Sequence, residues 1–496
     1  MATHYKLVNI LVNYKLIARI LGFLLLIVGA AMIPSIICAQ IYHEFKCLQA
    51  LLITASQCFF WGTILVIAMR TERSKFRTRE GYIVVASCWV IASIIGAFPY
   101  MISGFAPNFW DALFESTAGF TTTGCTAFNY DMMPHSLILW KATGNWLGGM
   151  GILVFVISIL PALGINGQFI VRAEAPGPVF EKISVRMSDT AKILYISYFA
   201  LSITEFLLLL LGSDMPVFDA LINTMGSIST GGVGVHADGI MHYNSLFVEL
   251  VISVFTILAS VNFLLYHYAA SGKWKYVLKD IELRYFLGLI AAGTLICTFA
   301  QYIGGTTDSF GKALRYSFFQ ITSISTTSGY VGSDYCSWPS ICATVIIVLM
   351  FIGGCAASTS GSVKVIRVMT LMKMVSRAYQ KKLHPRQVVA IKVGEKATPA
   401  HVVSEITVFI LLYALVFLIG SLLLSLQNLD LETTLSTTLA MLSNTGIGLG
   451  EGANIGNYSM FYNGLKPVLC LLMIIGRLEM FPIIVLFTKN FWGRDR

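Results

Sequence analysis

Charge is what this chain has least of. Only 12% of its 496 residues are Asp, Glu, Lys or Arg, against 56% hydrophobic, whereas soluble domains carry about 25% charged residues. That shortage excludes an ordinary soluble globule and indicates a polytopic membrane protein. Cysteine chemistry is missing as well: the ten cysteines form no CxxC and no metal-ligand spacing. Cys38, Cys58, Cys88, Cys297, Cys342, Cys355 and Cys470 lie in apolar stretches and read as small buried hydrophobes. Cys336 falls in an expected outer loop with no obvious partner. The eight histidines make no HExxH, nothing resembles a P-loop, and the Gly-rich runs 232–234 and 448–452 follow no strand. An enzyme is therefore not expected, nor a cofactor bound by this chain. No cleavable signal peptide is evident, because the first apolar run, residues 20–39, is too long and lacks a small-x-small site.

Acidic residues are scarcer than basic ones, 25 against 34, for a formal charge of +9. Nucleic acid is not implied, because the basic residues cluster in short loops beside apolar spans. Five stand within 70–79; others are Arg172, Lys182 and Arg186, then Lys273, Lys275, Lys279 and Arg284, then Arg377 to Lys396, then the tail at 492–496. The positive-inside rule puts these loops and both termini in the cytoplasm. The opposite loops hold Asp111, Asp131, Asp214, Asp238, Asp334, Asp430, Glu432 and Glu451. Such an acidic outer vestibule would concentrate cations.

What the chain does have is a motif used four times. Asp111-Ala-Leu-Phe-Glu-Ser-Thr-Ala-Gly-Phe-Thr-Thr-Thr-Gly124 aligns without a gap on Asp219-Ala-Leu-Ile-Asn-Thr-Met-Gly-Ser-Ile-Ser-Thr-Gly-Gly232. Two more copies end at Ser328-Gly329 and at Asn444-Thr-Gly446, so the closing glycines stand 108, 97 and 117 residues apart. Repetition at that scale is architectural. Each copy sits in one unit: membrane helix, short amphipathic helix, polar loop, membrane helix. The units use 82–103, 108–119, 120–125 and 137–163; then 193–211, 217–228, 229–234 and 246–269; then 285–303, 311–324, 325–331 and 342–372; then 402–424, 431–442, 443–450 and 466–488. Spans at 16–41 and 48–69 precede them. The expected domains are a two-helix unit at 1–79 and pore repeats at 80–166, 167–271, 272–378 and 379–496.

The short helices cannot cross a bilayer, which takes about 20 residues. A short helix, a polar loop and a full span together make a re-entrant pore loop, tolerated only inside protein or along a wet cavity. Rings of backbone carbonyls replace the hydration shell of potassium, and glycine lets successive carbonyls face one axis. The fold expected is all-α, two helices plus four helix–pore-loop–helix repeats arranged pseudo-fourfold around one pore. The carbonyls would come from Thr122, Thr123 and Gly124; Thr230, Gly231 and Gly232; Thr327, Ser328 and Gly329; and Asn444, Thr445 and Gly446. The two glycines of loop two leave a one-residue slip open.

Phe120-Thr-Thr-Thr-Gly124, Ser229-Thr-Gly-Gly232 and Gly476-Arg-Leu-Glu-Met-Phe-Pro482 resemble the TrkH/TrkG potassium-uptake family, within the wider Trk/Ktr/HKT superfamily. The resemblance covers nearly the whole chain, including the two extra N-terminal spans. It implies a bacterial inner-membrane potassium-uptake protein, K+ held at the filter residues, a homodimer with one pore per protomer, and a cytoplasmic TrkA-like nucleotide-binding (NAD/ATP/ADP) ring. All four glycines are present, which in the superfamily favours potassium over sodium.

Two features bear on gating. Gly353-Gly-Cys-Ala-Ala-Ser-Thr-Ser-Gly361 interrupts a span with small polar residues, which fits close helix packing or a broken helix. The resemblance implies an intramembrane gate, here Gly353, Gly354, Ser358, Ser360, Gly361 and Lys364. Arg477 lies in the last apolar span, where an arginine needs a wet cavity or a partner; with the resemblance it reads as a cationic barrier. Glu205 lies in an apolar run and reads as a satisfied structural group; it would carry a proton only if transport were H+-coupled. A symporter coupled to H+ or Na+ is the alternative. Lys141, beside Trp140, reads as a snorkelling interfacial residue.

Overall fold

The computed structural model describes residues 13–70, 78–151, 187–387, 389–393, 396–450 and 455–492. Helix α1 (Tyr14–Ala31) starts on Asn13, whose side chain accepts the Leu16 N–H. It breaks at Met32 and resumes as α2 (Ile33–Ile41), with a proline in its first turn. Helix α3 (Phe45–Ala68) runs back along α1, where Gly22 and Gly62 leave no room for a methyl group between the backbones. Small residues permit such approach where lipid removes the hydrophobic drive. The expected spans at 16–41 and 48–69 are thus present, the first in two pieces. At the turn, Glu44 accepts the His135 and Ser136 N–H groups at 2.7 and 3.0 Å, pinning this unit to the following repeat.

That repeat comprises α4 (Thr78–Ile102), α5 (Phe109–Phe120) and α6 (His135–Gly149). Next come α7 (Met187–Gly212), α8 (Val217–Ile228), α9 (Leu246–Ala259) and α10 (Leu264–Ala270), then the short α11 (Trp274–Lys279). The third set is α12 (Ile281–Ile303), α13 (Phe310–Ser325), α14 (Ser340–Ile352) and α15 (Val365–Leu383). The last is α16 (Ala400–Leu424), α17 (Leu431–Ser443), α18 (Lys466–Arg477) and α19 (Phe481–Ile484). Among the described residues six helices are long and apolar enough to cross a membrane, or eight if each of two bent pairs is one span. Helices α5, α8, α13 and α17 have only 12, 12, 16 and 13 residues. Asn108 and Asp430 cap α5 and α17 by accepting N–H groups three residues on.

Three departures from expectation have physical causes. The span expected over 246–269 bends by 100° between α9 and α10. There the Ser260 carbonyl accepts the Cys355 N–H, and the Ala259 carbonyl accepts the Thr359 N–H and hydroxyl. A segment about a hundred residues away thus replaces the next helical turn. The last span bends by 116° after Arg477, where Glu479 and Met480 take left-handed φ of +52° and +70°. Apolar periodicity is alike on both sides of each break, so the sequence did not show them. Finally, the chain is not all helix: Lys392–Val393 (β1) pairs antiparallel with Lys396–Ala397 (β2), a ladder too short to leave a period-two signal.

Several expectations lie outside the described residues: residues 71–77 of the first basic loop, the far part of the 137–163 span, Arg172, Lys182 and Arg186, Glu451, and the tail from 493.

Candidate functional site

The four short helices end alike. Counting from Gly124, Gly232, Gly329 and Gly446, the residues two before them are Thr122, Thr230, Thr327 and Asn444, with φ of +56°, +53°, +57° and +57°. The glycines have φ of +73°, +61°, +71° and +77°. A left-handed non-glycine residue is uncommon, so four in one register mark a single backbone shape used four times. The N–H groups turn back in one pattern too. Those of Thr123 and Gly124 reach the Ala118 carbonyl, Gly231 and Gly232 reach Gly226, Ser328 and Gly329 reach Ser323, and Thr445 and Gly446 reach Ala440, at 2.9 to 3.3 Å. In loop two it is Gly232, not Gly231, that stands where Gly124 does, so the register does not slip.

The loops lie against one another in order. A Cβ added to Gly124 would strike the Gly231 carbonyl oxygen; on Gly232, that of Ser328; on Gly329, that of Thr445; and on Gly446, that of Thr123. Each glycine meets the carbonyl one residue before the next glycine, and the fourth returns to the first. A cavity of about 40 Å³ is lined by Thr123 and all four glycines, together with Tyr130, His236 and Tyr330. Several buried hydroxyls of the loops are satisfied locally. Thr121, Ser229 and Thr326 donate to helix carbonyls at 2.7, 2.6 and 2.8 Å. Thr121 also bonds Thr123, Thr326 bonds Ser328, and Ser443 bonds Thr445. Loop two has Gly231 at that place, and Asn145 of α6 fills the space, its Nδ2 donating to Ser229 Oγ at 2.9 Å.

The interrupted span packs against the helix ends behind these loops. The Gly361 N–H donates to Thr327 Oγ1 at 2.7 Å, and a Cβ on Gly361 would strike the Ser443 carbonyl. Ser358 and Ser360 share a hydrogen bond, the buried Lys364 ammonium donates to the Ser360 carbonyl, and Gly353 has φ +67°. A Cβ on Gly354 would crowd Ser260 and Ser360. Arg477 is not in mid-helix: it ends α18 and donates to the carbonyls of Thr359 (2.7 Å), Gly148 (2.6 Å) and Gly149 (3.0 Å). It therefore ties the interruption to the end of α6. Glu479 pairs with Arg367.

Other expectations change. Lys141 does not snorkel; it is buried and bonds the buried Glu115 at 2.5 Å, because a carboxylate on α5 needs a counter-ion there. Asp111 is no free vestibule charge, being buried against Lys466. Glu205 is fully buried and accepts the Ser227 hydroxyl at 2.6 Å, so it faces α8. None of the ten cysteines forms a disulfide, and Cys336 alone among them is exposed.

Residues 47–494 match the TrkH family, described as cation transport proteins. The chain belongs to the TrkH family. This TrkH-family chain is 34% identical over 485 residues to the Trk system potassium uptake protein TrkH of Salmonella typhimurium, covering 97% of this chain and 99% of that one. The same figures hold for the Trk system potassium uptake protein TrkG of Escherichia coli K12. Against the crystal structure of the potassium transporter TrkH from Vibrio parahaemolyticus, the TM-score is 0.86 at 32% identity, covering 97% of this chain and 100% of that one. The TrkH-family sequence gave no signal for Asn145, which is distant in the chain from the glycine it complements. Glu115 lies in view inside the repeated motif, but its partner Lys141, next to Trp140 in the chain, has the sequence setting of an interfacial residue.

Proposed function

We propose that the chain takes up potassium across the bacterial inner membrane through one pore whose narrowest part is a ring of loop carbonyls. The observation that carries this reading is the cyclic glycine-to-carbonyl contact, Gly124 to loop two and onward until Gly446 meets Thr123. A monovalent cation sheds its water against such oxygens. The C-terminal ends of α5, α8, α13 and α17 add partial negative charge at the loops. The four repeats then stand pseudo-fourfold about the ion path. The filter is the twelve residues from Thr122 to Gly446 named above, and the segment with Gly353, Gly354, Ser358, Ser360, Gly361 and Lys364, together with Arg477, is the gate behind it. Both termini are cytoplasmic, the protein is a homodimer, and a TrkA-like nucleotide-binding ring works the gate. Rubidium uptake into a potassium-requiring bacterial strain tests the reading. The chain should restore uptake, and Gly124→Ser should let sodium compete. Unaltered ion preference in that variant sinks the assigned filter.

A further inference from the structure

The short helices carry a second repeated feature. Nine residues before each closing glycine stand Glu115, Asn223, Gln320 and Thr437, all buried and polar. Three residues after the glycine, in three of the four loops, a helix side chain holds the backbone N–H. Ala127 N–H donates to Glu115 Oε2 at 3.0 Å, Gly332 N–H to Gln320 Oε1 at 3.2 Å, and Leu449 N–H to Ser436 Oγ at 2.9 Å. In the first loop alone the acceptor is a carboxylate, and a buried charge therefore stands behind the backbone.

That charge organises a chain of bonds reaching the end of the loop. Lys141 and Glu115 have no exposed side-chain surface and meet at 2.5 Å. The ammonium also donates to the Cys125 carbonyl at 2.7 Å and to the Tyr130 hydroxyl oxygen at 2.8 Å. An ammonium only donates, so the Tyr130 proton is free to go elsewhere, and it goes to the Gly124 carbonyl at 2.9 Å. Tyr130 borders the same cavity as the four glycines. Charge-assisted bonds are the stronger kind, and a chain of them polarises each member. The corresponding tyrosine of the third loop, Tyr335, spends its proton on the Gly448 carbonyl of the fourth instead. The second and fourth loops have Asp238 and Gly452 at that place in the sequence.

We propose that Tyr130, held by Lys141 and Glu115, is a positioning residue that fixes the outer end of the carbonyl ring and so sets the preference for potassium over sodium. A carbonyl held from outside by a hydroxyl does not swing inward onto a smaller ion. Released, it does. The proposal rests on the pore reading above.

Tyr130→Phe removes one oxygen from a partly exposed side chain. Sodium inhibition of rubidium uptake by the full chain in potassium-requiring cells is the readout, with the rubidium KM and maximal rate determined separately. We expect sodium to compete at about fivefold lower concentration, the worth of one ordinary hydrogen bond. The paired variant Glu115→Gln with Lys141→Met removes both charges and should shift the preference the same way. Gly124→Ser is run in parallel. If Gly124→Ser leaves the preference unaltered, the pore reading itself fails. If it shifts the preference while Tyr130→Phe and the paired variant behave as wild type, the pore stands and the brace is overturned. Loss of protein with normal preference in the surviving fraction also overturns it, because that is a structural role only.

Discussion

At Gly232 a substitution meets two obstacles together: a φ of +61° and the Ser328 carbonyl where a Cβ would go. A left-handed conformation costs an ordinary residue roughly 1–2 kcal/mol, and the carbonyl cannot yield without moving loop three. Gly231 has no left-handed φ, and the atoms nearest its hypothetical Cβ belong to the Asn145 side chain. Gly231→Ala is therefore expected to impair rubidium uptake less than Gly232→Ala, and Asn145→Ala should relieve it. Equal losses that Asn145→Ala leaves untouched would refute this division. The four glycines were legible in the sequence because one register recurs at four places. The alternation of left-handed residues was half legible: glycine announces it, whereas Thr122, Thr230 and Thr327 do not, since threonine is a poor left-handed residue and only the surrounding bonds enforce it.

Among the elements, interruptions set the shape. The break between α14 and α15 could be read from the density of glycine and serine between 353 and 362. Those after α9 and α18 could not, because what ends each helix is a partner remote in sequence: Thr359 for α9, and for α18 the carbonyls at 148, 149 and 359 that hold Arg477. Arg477→Ala should therefore do more than delete a charge. It frees the Thr359 carbonyl and loosens the segment bonded to Thr327. The expected outcome is raised ion leak through the purified chain alone, measured as rubidium flux into liposomes; unchanged leak would discount both the barrier and the tie. A smaller effect belongs to α17. Hydrogen bonds from the Thr433 side chain and then its N–H hold the Asp430 carboxyl below its ordinary 3.8. A depressed folded pKa means the cap is at full strength above the unfolded value and is lost as pH falls through the folded one. Asp430→Ala should thus lower the thermal midpoint at pH 7, and the difference from wild type should shrink toward pH 3.

At the scale of the molecule, the first and last repeats must meet if the loops are to close. Several bonds join them across most of the chain: Thr126 N–H to the Gly456 carbonyl at 2.8 Å, Tyr458 N–H to the Thr126 carbonyl at 2.8 Å, and Asn444 Nδ2 to Thr123 Oγ1 at 3.1 Å. The charged member is Asp111 on α5 with Lys466 on α18, both buried. Neither residue could be paired from sequence, since 355 positions separate them: Asp111 reads alone as a loop charge and Lys466 as the first residue of a span. Removing one partner of a buried pair leaves an uncompensated charge and costs about 3–5 kcal/mol, whereas replacing both by neutral residues is often tolerated. Lys466→Met should therefore lower the thermal midpoint in detergent markedly, and Asp111→Asn added to it should recover most of the loss. Potassium supplies the second arm. An ion bound only by the closed ring stabilises the fold by mass action, about 2.7 kcal/mol at a hundred times its Kd. Potassium should then raise the wild-type midpoint more than sodium does, and more than it raises that of Lys466→Met. If the single variant melts as wild type does, or potassium stabilises both alike, the seam between the first and last repeats does not govern closure of the ring.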